Sequence, residues 1–82
     1  MENPIPPDRP KQYAALVKCG DAVETPDGEL WVVEALTADG LALASAYRGR
    51  DGEIVADRYE VTRTVVAAEL VTKVADVRQV RR

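Results

Sequence analysis

The sequence predicts an all-β fold, a small barrel of about five antiparallel strands with a short helical turn before the last strand. Three observations carry this reading. Asp27-Gly28, Asp39-Gly40 and Asp51-Gly52 stand at equal intervals, each 12 residues after the last. Asp-Gly is a strong hairpin signal, because glycine takes positive φ freely and aspartate tolerates it. The stretches between these turns alternate at period two, as half-buried strands do. Finally, Glu29 to Thr37 is partly apolar on both faces, which suits a central strand of a closed or nearly closed sheet.

Met1 to Pro10 carries four of the five prolines, a density that prevents ladder pairing and predicts a disordered leader. Lys11 to Cys19 is a short lead-in, either a helical turn or an edge strand; Tyr13, Leu16 and Val17 at i, i+3 and i+4 mildly favour the helix. The barrel spans residues 20–75. Asp21 to Thr25 is its first short strand, closed by Pro26-Asp27-Gly28. In the second strand Trp31, Val33 and Ala35 share one face and Leu30, Val32 and Glu34 the other. Leu41 to Tyr47 is the third strand, with Leu41, Leu43 and Tyr47 alternating with alanines. Arg48 to Glu53 is a polar hairpin tip, and a long fourth strand runs from Ile54 to about Val65. Val66 to Val71 makes a tight helical turn and Thr72 to Val74 a closing strand. The alternative is one longer helix through Val71, Val74 and Val77, which its β-branched residues weaken. Residues 76–82 are a frayed basic tail.

A chain of 82 residues buries only about 60% of its unfolded surface, so its core is thin. Self-association into a homo-oligomer is one way to enlarge it. Histidine is absent, which removes the commonest general base and the commonest metal ligand. One cysteine cannot complete a zinc site or an internal disulfide. The expectation is therefore a protein that is not an enzyme and takes no cofactor or metal. Cys19 reads as a small buried hydrophobe. With no signal peptide and no long apolar run, a cytoplasmic protein of bacterial or phage origin is expected, without a membrane partner.

The net charge of −3 is uneven: residues 1–20 sum to +1, residues 21–60 to −7 and residues 61–82 to +3. An acidic body does not offer a broad phosphate-tracking surface.

Gly20-Asp21-x-Val23, the Pro26-Asp27-Gly28 turn, Trp31-x-Val33 and Ala67-Ala68-Glu69-Leu70-Val71 together resemble an SH3-like small β-barrel over about residues 19–74. Bacterial members of that group often start on Gly-Asp-x-Val and close with one helical turn before a last short strand. The chain is loosely similar to KOW-type domains, which touch RNA and ribosomal or transcription proteins. It is also similar in length, leader and start to the plasmid-borne dihydrofolate reductases of the second type. Their tetrameric pore is lined by Val-Gln-Ile-Tyr, whereas this chain has Glu60-Val61-Thr62-Arg63-Thr64. The resemblance therefore does not imply their activity.

The candidate binding residues are Tyr47, Arg48, Arg50, Arg58 and Tyr59, around the third Asp-Gly turn. Tyrosines stack on bases or peptides, and guanidinium groups beside them bind phosphate or carboxylate. Asp51, Glu53 and Asp57 neutralise them locally. Trp31 is expected to fill the core. Arg63, Lys73, Arg78, Arg81 and Arg82 form a second basic group. The expected function is a non-catalytic interaction module that binds a protein or nucleic-acid partner through residues 47–59. The alternative is an acidic inhibitor, of phage or mobile-element origin, in which Asp21, Glu24, Asp27, Glu29, Glu34 and Asp39 imitate a phosphate array on a host nucleic-acid-binding machine.

Overall fold

The computed structural model describes residues 17–81. The expected leader, most of the lead-in segment (including Tyr13 and Leu16) and Arg82 lie outside the described residues. Seven short strands follow one another: β1 (Ala22–Glu24), β2 (Leu30–Thr37), β3 (Gly40–Arg48), β4 (Ile54–Ala56), β5 (Arg63–Val66), β6 (Thr72–Ala75) and β7 (Val80–Arg81). Two single 3-10 turns, Ala68–Leu70 and Val77–Gln79, precede β6 and β7. The strands form one nearly closed, barrel-shaped sheet in the order β6-β1-β2-β3-β4-β7, with β5 also pairing β3. This is a small all-β barrel compatible with the SH3-like type. Among the described residues no helix is long and apolar enough to cross a membrane.

Each of the three Asp-Gly turns closes a hairpin, and Gly28, Gly40 and Gly52 all have positive φ. In the first, the Gly28 amide donates to Thr25 O at 2.9 Å and the Thr25 amide to Glu29 O at 3.0 Å. The Thr25 hydroxyl donates to the Asp27 carboxylate. This bond, with help from the Glu29 amide, holds the Asp27 pKa below the usual carboxylate range. A depressed folded-state pKa means that the turn is supported above the pKa of free aspartate and loses that support as pH falls through the folded value. In an NMR pH titration, the Gly28 and Glu29 amides should shift with a midpoint below that of free aspartate; a midpoint at or above it would contradict the hydrogen-bonded turn.

The core is built by β1, β2 and β3. Val23 faces Trp31, and Val33 faces Leu43, across the ladders. Val17, Val23, Val33, Leu41 and Leu43 are buried together, with Trp31, Val66, Ala68 and Val71 packed against them. Burying each of the larger side chains contributes roughly 2 kcal/mol. The opposite sheet face is buried too, where Ala22, Val32 and Ala44 stand in register across three strands. A register shift between Val33 and Ala35 reverses the expected alternation, so that Ala35 faces Ala42. Glu34 at this bulge is exposed and pairs with Arg63, Nε to Oε1 at 3.0 Å.

Four sequence expectations are corrected within the barrel. The long fourth strand is two strands, β4 and β5, separated by residues 57–62. The Asp57 carboxylate accepts the amides of Tyr59 (3.0 Å) and Glu60 (3.1 Å), giving the backbone an alternative to the ladder. Ser45 marks the junction in β3: its carbonyl accepts the Asp57 amide, while its amide and hydroxyl engage Thr62. Cys19 is exposed rather than buried, because residues 18–21 form a turn in which the Asp21 amide donates to Lys18 O at 3.0 Å. Trp31 is half-buried at the edge of the core. Its indole N–H needs a partner when buried and finds the Thr25 hydroxyl at 3.2 Å. Asp21, expected on an acidic surface, is only 1% exposed; it accepts the Lys18 amide at 2.8 Å and pairs with Lys73 Nζ at 3.4 Å.

The segment after Val66 forms the tight turn and short strand, not the longer helix. Beyond it, residues 76–81 are not a frayed tail. The 3-10 turn Val77–Gln79 leads into β7, which pairs with β4 in parallel, Ile54 opposite Val80 and Val55 opposite Arg81.

Candidate binding grooves

The β3–β4 hairpin and β7 put alternate residues on opposite faces, and this sorts the candidate side chains into two sets. Tyr47 faces Val55 across the β3–β4 ladder, and Val55 faces Arg81 across the β4–β7 ladder. Tyr47, Val55 and Arg81 thus form one row. Arg48, Ile54 and Val80 form the adjoining row on the other face.

The first row floors a groove of about 440 Å³, lined also by Gly49, Glu53, Ala56, Arg58 and Tyr59. Arg58 and Tyr59 come from the loop that Asp57 holds, which explains how residues 11 and 12 positions beyond Tyr47 return to its side. Tyr47 is 50% exposed and Tyr59 93% exposed, so neither ring serves the core. Arg58 forms no ion pair with a described residue. Two aromatic faces beside a guanidinium group can stack on a flat group and donate hydrogen bonds to an acceptor next to it.

The second row borders a different cleft of about 420 Å³. Arg48, Arg78 and Arg81 line it, with Asp51, Gly52, Glu53, Ile54, Val74, Ala75 and Gln79. Arg48 Nη1 donates to Gly52 O at 3.0 Å across the hairpin tip. Arg81 Nη1 approaches Glu53 Oε2 at 3.5 Å, while the other Glu53 oxygen accepts the Asp51 amide at 2.9 Å. Arg81 and Glu53 belong to both hollows and form the ridge between them.

Of the five candidate residues, Tyr47, Arg58 and Tyr59 are brought together, Arg48 is turned to the neighbouring cleft, and the exposed Arg50 lines neither. Arg81 joins the site without having been expected there, because nothing local in Arg78 to Arg82 signals a parallel two-residue strand. The second basic group is dispersed: Arg63 goes to Glu34, Lys73 to Asp21, and Arg78 and Arg81 to the cleft. The acidic set is likewise divided, since Asp21 is buried and Glu34 is paired. Among the described residues no group of three or more Cys, Asp or Glu side chains is placed to hold a metal ion. No protein-family model, curated protein or solved structure matches this chain.

Proposed function

We propose that this protein is a non-catalytic interaction module whose partner, a protein or a nucleic acid, is held in the groove between Tyr47 and Tyr59. The observation that carries the reading is the exposure of both tyrosines in one groove with Arg58 and Arg81. In so small a barrel an aromatic side chain left outside the core forgoes roughly 2 kcal/mol of burial. Two of them on one floor are better accounted for by a surface that is covered when a partner binds. The all-β barrel framework supports the same reading, for it presents hairpin loops on rigid strands, as the resemblance to KOW-type modules also implies.

The test compares the protein with its Tyr47→Ala/Tyr59→Ala variant as bait in a cell lysate, with and without nuclease, with captured material quantified by mass spectrometry. Both side chains are exposed, so circular dichroism should show the variant folded. Stacking contributes about 1–3 kcal/mol per aromatic, and the double replacement should reduce capture at least tenfold. Nuclease sensitivity then separates nucleic acid from protein. Capture that is equal with both baits sinks the proposal.

A further inference from the structure

We propose that the cleft between the β3–β4 hairpin tip and the Val77–Gln79 turn is a binding site for a phosphoryl group, held by Arg48, Arg78 and Arg81. It adjoins the tyrosine groove across the ridge of Arg81 and Glu53, and it does not depend on the function proposed for that groove.

Three arginines line this one cleft from three different elements: Arg48 from the end of β3, Arg78 from the 3-10 turn and Arg81 from β7. In a protein of net charge −3, like charges gathered at one place oppose folding unless something of opposite sign occupies the space between them. The carboxylates at hand fill that role only in part. Asp51 and Glu53 line the cleft, but Glu53 already gives one oxygen to the Asp51 amide and the other to Arg81 at 3.5 Å, beyond the range of a good charge-assisted hydrogen bond. Arg78 forms no ion pair with a described residue. The bond from Arg48 Nη1 to Gly52 O orients that guanidinium and leaves its other donors available.

The shape of the donor set selects the anion. One planar guanidinium matches a planar carboxylate through two parallel hydrogen bonds. Three such forks from three elements exceed the two oxygens of a carboxylate and suit the three or more acceptor oxygens of a tetrahedral phosphate. A phosphoryl group is carried by small metabolites, by the ends of nucleic-acid strands and by phosphorylated peptides, and the same arginines would recognise it in each.

Isothermal titration in a phosphate-free buffer of low ionic strength tests the site, with inorganic phosphate, a phosphoserine peptide and a 5′-phosphorylated oligonucleotide as probes. Each is paired with its unphosphorylated counterpart, and acetate stands in for phosphate as the control anion. The phosphorylated probes should bind and their counterparts should not, and the probe that binds tightest identifies the source of the phosphate. Removing one guanidinium should weaken binding by about tenfold. Arg78→Ala should leave the fold intact, since Arg78 is exposed, and is the deciding variant if Arg48→Ala loosens the hairpin. Asp51→Asn should tighten binding about threefold by removing a repelling charge, and Arg50→Ala should leave it unchanged. The site is disproved if acetate binds as well as phosphate, if no phosphorylated probe binds, or if Arg78→Ala binds like the unaltered protein.

Discussion

Gly40→Ala should lower stability by about 4 kcal/mol, combining left-handed strain with a backbone clash of similar cost. Gly40 opens β3 at φ +138°, and a Cβ there would lie 2.5 Å from Val66 O and 2.9 Å from Val66 C. Those are main-chain atoms of β5, which pairs with β3 at that point through Leu41 and Val66, so neither side can yield without breaking the ladder. For a domain this small, 4 kcal/mol corresponds to a fall in Tm of roughly 16–32 °C. Gly28→Ala supplies the control. Gly28 has φ +86° but nothing within 4 Å of the added methyl, so only the conformational cost of about 1 kcal/mol remains. Thermal denaturation followed by circular dichroism measures both, and equal losses for the two variants would remove the packing argument.

The second large effect is expected at Lys73. Its replacement by methionine keeps the aliphatic stem but takes the ammonium group away from the Asp21 carboxylate, which is 1% exposed and still accepts the Lys18 amide. Breaking a fully buried ion pair costs about 3–5 kcal/mol. The Lys73 side chain is 38% exposed, so water relieves part of that penalty and about 2 kcal/mol is the expected loss. Asp21→Asn in the Lys73→Met background should recover much of it, because asparagine can still accept the Lys18 amide without a charge to desolvate. Urea denaturation provides the measurement. A Lys73→Met loss below about 0.5 kcal/mol, on the order of an exposed pair, would show that the ion pair does not hold β6 against β1.

Gly40 and Lys73 differ in how far the sequence alone announces them. The Asp-Gly turns are legible because a two-residue chemical signal determines the local backbone, and the strands between them follow from alternation. The turn Ala68–Leu70 is legible because the β-branched Val71, Val74 and Val77 weaken the longer helix that competes with it. What the sequence hides is set by long-range geometry. Asp57 interrupts the fourth strand only because its carboxylate meets the Tyr59 and Glu60 amides while Ser45 closes the junction from β3. Asp21 reads as one more surface acid, since its partner Lys73 lies 52 positions away on β6. The site is half visible. Tyr47, Arg58 and Tyr59 do share a groove, but the parity of β3 sends Arg48 to the other face, and the place of Arg81 depends on a parallel pairing that no residue pattern signals.

That parallel pairing has a thermodynamic consequence. The strand that presents Arg81 is two residues long and contributes two pairs to the sheet, Val80 with Ile54 and Arg81 with Val55. So short a pairing belongs to the low end of the range of local opening free energies. A ligand that requires Arg81 binds only the fraction of molecules in which this strand is docked, and its apparent affinity falls by that fraction. The coupling runs both ways: whatever occupies either hollow also stabilises β7 against β4, so ligand occupancy and amide-exchange protection at Val80 and Arg81 rise together.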